Sequence, residues 1–425
     1  MKKIFRKTLS LFLLLLLLSS LFSCSAGLTP PDQTAEEKAT QAIAETEETE
    51  TFEETPPDLQ YPGIDGSVLS TYKKRSREDF DLACRHFEKK GYTLYSSMET
   101  GDNPSKTYVK GSALAHLYYH PASKELNLVL SDTAADTLPP VTPAVTDGNI
   151  PCTVTQLNRH PVHMNGMGYI IQLTDGSFLV YDGGYPESAN ELLDFLVSHS
   201  AGKKPLIRAW VMTHLHGDHT GAFNTLAARE NASELFTLEY VIYSPVPFNH
   251  PGVNAEEEDN TSRIKNLRNS LSRFPEARLV YAHTGMKFTF CNLTMEILYT
   301  PESLYKNLRT PEAFNNSSIL SRLKWENGSF LFTGDLADLG AMRSTRLYGD
   351  ALASDMVQMS HHGLGTCPLS FYDKVKAATL WYPCSTSFYE FGSNKPLRTA
   401  LETAEATREI IIAGNGQATR PFPGY

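Results

Sequence analysis

Cysteine is scarce in this chain, with six among 425 residues, and no Cys-x-x-Cys pair occurs. With Cys24 set aside for reasons given below, Cys84, Cys152, Cys291, Cys367 and Cys384 remain, an odd number that cannot pair completely. That argues against a disulfide framework. Small buried apolar side chains are the expectation for these five. A basic surplus is also missing: Lys and Arg number 38 against 48 Asp and Glu, a formal net charge of −10. The gross positive footprint of a tight nucleic-acid binder is therefore not offered. No internal repeat is visible, and no choline-binding repeat. Otherwise the composition, 41% hydrophobic and 20% charged, allows a sizeable core.

The charge that is present is unevenly placed. Residues 1–24 carry Lys2, Lys3, Arg6 and Lys7 and no acid, residues 25–60 carry ten acids against Lys38, and the remainder accounts for −5. MKKIFRK followed by LSLFLLLLLLSSLFS reads as the charged and apolar regions of a signal peptide over 1–24, too short for a comfortable membrane span. Its end, LFSC from Leu21 to Cys24, resembles a bacterial lipobox. The resemblance implies lipidation of Cys24 and an extracytoplasmic protein anchored to a bacterial membrane. In that setting the sequons at Asn231 and Asn292 carry no weight. Residues 25–65, rich in Thr and Glu and poor in large apolar groups, read as a disordered acidic tether. As a flexible coil, residues 25–60 of it would span roughly 30–36 Å.

Two folded regions are expected beyond it. Residues 66–140 read as a small α+β accessory domain: REDFDLACRHFEKKG puts Phe80, Cys84 and Phe87 at helical spacing, and strand-like runs follow. His116 and His120 lie in one of these runs and read as packing or surface residues. SDTAADTLPPVTP, Ser131 to Pro143, reads as a linker. Residues 150–425 read as a layered α/β body, beginning with the hairpin YIIQLTDGSFLVYDGG and continuing through LIRAWVMTH, FLFTGD, MVQMSHH, ATLWYP and EIIIAG. PVPFNHPGVNAEEEDN, Pro245 to Asn260, reads as a surface loop rather than a lid. SFYEFG places Phe388, Tyr389 and Phe391 as packing groups.

One stretch concentrates metal-ligating side chains. THLHGDHTG, Thr213 to Gly221, supplies His214, His216, Asp218 and His219 at a strand end. His214 and His216, two apart, can face one cation, while Asp218 and His219 can face a second. Gly217 would permit the close turn between them. FTGD adds Asp335 and SHHG adds His361 and His362, each after a strand. Loops that follow strands are where an α/β scaffold usually places a site. Imidazole and carboxylate donors suit zinc, with manganese or iron as alternatives.

HLHGDH is similar to the HxHxDH signature of metallo-β-lactamase fold hydrolases, LVYDGG to their first motif, FLFTGD to their bridging-aspartate motif and SHHG to their final histidine. The resemblance covers about residues 150–424 and implies a four-layered αββα sandwich holding two divalent metal ions. His214 and His216 would bind the first, Asp218, His219 and His361 the second, and Asp335 would bridge them. Asp182 would brace the ligand loop from behind. There is one departure. Many members supply a third histidine to the first ion, but FNNSSILSRL, Phe314 to Leu323, contains none, and the nearest, His283, lies before two further strands. The Asn316–Ser318 pattern followed by FLFTGD and SHHG resembles the metallo-hydrolase domain of bacterial late-competence DNA-uptake proteins, where this histidine is normally missing. The first ion would then be completed by water or Asn316, or bind weakly; Asn316 is otherwise a cap or turn residue.

The implied chemistry is hydrolysis by a metal-activated hydroxide, most readily of phosphodiesters. Asp218 would orient the water or take its proton, and His362 would donate to the leaving group or face the substrate. A lactone or other acyl hydrolase is the alternative, and a metal-bearing cell-surface binding module with little turnover is the reading from another class. The acidic body favours a small-molecule or cell-surface polymer substrate over long nucleic acid.

Overall fold

The computed structural model describes residues 56–141, 150–158, 162–246, 260–304, 312–326, 328–392 and 394–423. The segment read as signal peptide, Cys24 and most of the tether lie outside the described residues, as does most of Pro245 to Asn260. No described helix is long and apolar enough to cross a membrane.

The first sheet has six strands, β1 (Leu59–Pro62), β2 (Val68–Tyr72), β3 (Thr93–Thr100), β4 (Asn103–Lys110), β5 (Ala113–His120) and β6 (Glu125–Ser131), in the order β1-β2-β6-β5-β4-β3. Helix α1 (Arg77–Lys89) covers one face with Phe80, Ala83, Cys84 and Phe87. Ser76 starts it with a reciprocal capping box to Asp79, which satisfies two otherwise unpaired backbone donors. Strand β1 falls inside the stretch read as tether, so ordered chain begins earlier than composition suggested. It is a short edge strand held by backbone pairing to β2, which composition does not report.

The second sheet contains β7 (Thr153–Gln156), β8 (Gly168–Gln172), β9 (Phe178–Asp182), β10 (Leu206–Val211), β11 (Thr237–Tyr243) and β12 (Arg278–Tyr281), with the C-terminal strand Ala418–Pro421 beside β7. The third contains β13 (Lys287–Phe290), β14 (Leu293–Tyr299), β15 (Leu320–Trp325), β16 (Gly328–Phe332), β17 (Met356–Gln358), β18 (Thr379–Tyr382) and β19 (Glu409–Ile412), hydrogen-bonded in that order. These two sheets pack face to face through one apolar layer, in which Tyr181 stacks on Phe332 at 3.8 Å between ring centroids. Their outer faces are covered by α2 (Ala189–Ser198), α3 (Gly217–Ala227), α4 (Asn260–Leu271) and α5 (Asp338–Tyr348), among other helices. This is the expected four-layered αββα sandwich. Helices on one face and a sheet on the other explain why β9, FLVYD, is buried at every position rather than alternating. Each large side chain so buried contributes about 1.5–3 kcal/mol.

The first sheet and the sandwich fall in the same unit, residues 52–425, and are tied by buried polar contacts. Asn103 Nδ2 donates to Leu347 O at 2.8 Å, Ser105 Oγ to Gly285 O at 2.7 Å and His116 Nε2 to Thr284 O at 2.9 Å. His116 and His120 are buried packing residues, as expected, and burial pushes His116 down to about 4 and His120 to about 3, keeping both neutral. His283 pairs with Glu302 at this junction and so is not the missing ligand. All five described cysteines are free and buried. Phe388 and Tyr389 pack on the core as expected, but Phe391 is 85% exposed, because the one-turn π-helix Phe388–Gly392 directs it outward.

Candidate metal centre

Strand β9 runs parallel to β10, β10 to β11 and β16 to β17, and the ligand loops leave from carboxyl ends of these strands, the usual binding edge of such sheets. Asp182 ends β9, Thr213 and His214 follow β10, Asp335 follows β16, and His361 and His362 follow β17. His216 caps α3, and Asp218 sits in that helix's first turn, where the dipole favours a carboxylate.

The donors converge on one atom. Asp335 Oδ2 lies 3.2 Å from His219 Nε2, 3.4 Å from His362 Nε2 and 3.9 Å from both His214 Nε2 and His361 Nε2. His362 Nε2 also lies 3.0 Å from Asp218 Oδ2. Two donor sets result, Asp218–His219–Asp335–His362 and His214–His216–Asp335, each with its ligand atoms within 4.8 Å of one another. Despite these close approaches, His219 Nε2, His362 Nε2 and the second carboxylate oxygen, Asp335 Oδ1, are buried without a well-aligned hydrogen bond. Buried polar atoms are seldom left so. Their convergence is what a cation site requires, so the residues fit a pair of divalent ions sharing Asp335.

The structure corrects the expected assignment at SHHG. His362, not His361, enters the second donor set. Both residues adopt left-handed backbone, φ 48° at His361 and 57° at His362, at a cost of about 1–2 kcal/mol each. This turn carries His362 inward, fully buried, with Nδ1 donating to Pro383 O at 3.1 Å. His361 stays at the rim, its side chain 16% exposed. His362 therefore does not face the opening as a proton donor to a leaving group would.

Supporting residues fix the ligands. Asp182, itself at φ 54°, accepts from Thr213 N at 2.8 Å, from Thr213 Oγ1 at 2.7 Å and from His219 Nδ1 at 2.7 Å. These three bonds tie the end of β9 to the loop that carries His214 and His219. Ser318 Oγ accepts from Asp335 N at 3.0 Å and contacts His214 Nδ1 at 3.2 Å, so it positions one ligand of each kind. Asn316 takes the capping alternative: its Oδ1 accepts from Gly340 N at 2.8 Å in the first turn of α5. Gly217 has open space and no left-handed backbone, so the turn does not demand glycine there. Gly334 does: at φ 55°, a Cβ would come within 2.8 Å of Thr213. Sequence reasoning missed Asn165, whose Nδ2 donates to Asp218 Oδ2 at 3.1 Å, and Gln358, which binds Gly334 O at 2.9 Å. Neither stands in a recognisable motif.

Charge in the centre is strongly redistributed. Burial opposes the charge on Asp335, but His219 and His362 outweigh it and hold its carboxyl well below the usual range. Burial likewise disfavours a charged His362, yet Asp335 and Asp218 raise it to about 9. His219 is raised well above its ordinary value in the same way, against burial, by Asp335, Asp182 and Asp218. Burial, His219 and His216 together push His214 well down. Protons on the imidazoles thus balance the carboxylates, and cations would replace those protons.

Residues 164–244 match the family model described as the Metallo-beta-lactamase superfamily. No curated protein matches the chain. Among solved structures, the chain is similar to the metallo-beta-lactamase fold protein YhfI from Bacillus subtilis, at 12% identity and TM-score 0.39, covering 64% of this chain and 100% of that one. It is similar to CmlA, a diiron beta-hydroxylase from Streptomyces venezuelae, at 11% identity and TM-score 0.36, covering 66% and 55%. A third is described as a possible metal-dependent hydrolase from Veillonella parvula, at 12% identity and TM-score 0.35, covering 64% and 100%.

Proposed function

We propose that this chain, which carries a metallo-beta-lactamase superfamily domain, is a metal-dependent hydrolase of phosphodiester bonds. The observation that carries the reading is Asp335 Oδ2, within 3.9 Å of four imidazole nitrogens and shared by two donor sets that contain no cysteine. The two donor sets would hold paired divalent cations, zinc or alternatively manganese or iron, which would supply Lewis acidity to lower the pKa of water and offset charge developing on a phosphoryl group. The chain's own residues do the rest. His214, His219, His362 and Asp335 are buried and exclude bulk water. Asp218, steadied by Asn165 and 14% exposed, orients the attacking water or takes its proton. His216, at the start of α3, is partly exposed.

The phosphodiester class draws support from the Asn316–Ser318, FLFTGD and SHHG pattern, which resembles the late-competence metallo-hydrolase domain. The acidic composition favours a small or cell-surface substrate over long nucleic acid. The lipobox-like LFSC supports a lipid anchor at Cys24 on the outer side of the membrane, and Cys24→Ala is expected to move the protein to the soluble fraction. The deciding assay offers bis-p-nitrophenyl phosphate, a lactone and a β-lactam to protein supplied with zinc, manganese or iron. Turnover of the phosphodiester alone supports the proposal. Turnover of the lactone alone makes the protein an acyl hydrolase, and silence on all three with ions bound leaves a surface binding module.

A further inference from the structure

Among the described residues the first donor set has three members, His214, His216 and Asp335, and the stretch Phe314 to Leu323 has no histidine to complete it. We infer that His361 is the fourth donor of this set, so that the consecutive histidines of SHHG serve the two cation positions separately. The inference rests on the metal-centre reading above.

Three observations carry it. His361 Nε2 lies 3.9 Å from Asp335 Oδ2, the same distance as His214 Nε2, whereas His362 Nε2 lies closer, at 3.4 Å, and also touches Asp218. The ring is presented with its lone pair on Nε2. Asn315 Nδ2 donates to Glu312 Oε2 at 2.6 Å, which fixes the amide with its nitrogen towards His361, and that nitrogen contacts His361 Nε2 at 3.4 Å. A nitrogen that faces a donor must accept, so the proton sits on Nδ1, which is 3.0 Å from Thr366 Oγ1. A histidine ligand needs this tautomer, with one nitrogen held by an outer partner and the other unprotonated, and Nε2 would exchange its contact with Asn315 for the ion.

The backbone supplies the third observation. Successive residues of an extended strand point to opposite faces. Left-handed backbone at both His361 and His362 instead brings both imidazoles to within 3.9 Å of one oxygen. His361 is not in the three-membered set whose atoms already lie within 4.8 Å of one another. Completing the set would therefore require its ring to turn inward from the rim, where its side chain is 16% exposed.

Cobalt titration of the full chain, read by visible absorption and by ions bound per chain, tests this. His361→Asn keeps a residue that tolerates left-handed backbone. It is expected to retain one ion tightly and to weaken the other by about 100-fold, no less than outer-partner losses. His216→Ala with His361→Asn should still retain one ion, because both act on the same position, while His361→Asn with His362→Asn should retain neither. Thr366→Val, which leaves the ligand in place but unheld, should weaken the same ion by about tenfold. Two ions bound by His361→Asn with wild-type affinity, one ion kept by the paired His361 and His362 variant, or a wild-type chain that binds a single ion would each overturn this inference and leave the hydrolase reading standing. A wild-type chain that binds none would overturn both.

Discussion

Oδ2 of Asp182 lies 2.7 Å from Nδ1 of His219, and both side chains are fully buried. The carboxylate can only accept, so His219 carries its Nδ1 proton towards Asp182 and presents Nε2 to Asp335, 3.2 Å away. Asp182 thereby sets which nitrogen of its neighbour can bind a cation, although it touches no substrate. Asp182→Asn, which suits the left-handed backbone here, should lower metal affinity by about 10–100-fold with the fold retained. Chelator competition followed alongside circular dichroism checks both parts.

Asp335 occupies the shared position, and its removal acts on both donor sets at once. Asp335→Ala should reduce hydrolysis by about 1000-fold or more, the scale of losing a central electrostatic group, without unfolding the body. Ion content per chain should fall together with activity. Retained activity would contradict a bridging role.

Ion removal should be reversible and visible as stability. An ion that binds the folded chain only, at a free concentration of 100 times its Kd, stabilises by about 2.7 kcal/mol. Dialysis against a chelator should therefore lower both the midpoint of denaturation and the activity, and added zinc or manganese should restore them. An unchanged midpoint would mean that the donor sets hold no ion.

The buried His283–Glu302 pair at the junction of the first sheet and the sandwich predicts a pH dependence separate from catalysis. Burial disfavours charge on both, but their mutual attraction and hydrogen bond prevail, raising His283 and lowering Glu302. The histidine's contribution is complete below its ordinary value near 6.5 and is lost as pH rises through its raised folded value. The glutamate's contribution is complete above about 4.5 and is lost as pH falls through its lowered one. Between these limits Glu302→Gln should cost about 3 kcal/mol, measured by urea denaturation, and the cost should shrink on either side.

The sequence by itself determined the chemistry of the centre. The spacing of His214, His216, Asp218 and His219 is local, so a strand end and one helical turn suffice to gather those four side chains, and their types name the ions they suit. The hairpin at Asp175-Gly176 and the helix carrying Phe80, Cys84 and Phe87 were legible for the same reason: periodicity and turn chemistry act over a few residues. The tertiary structure decided the rest. Whether His361 or His362 turns inward depends on two left-handed backbone angles that the letters HH do not carry. Asn165 reaches Asp218 across 53 residues of chain, and Asn316 caps a helix that begins 22 residues later; neither contact leaves a periodic trace. Residue type and short spacing fix which donors a chain owns, and only long-range packing fixes where each one points.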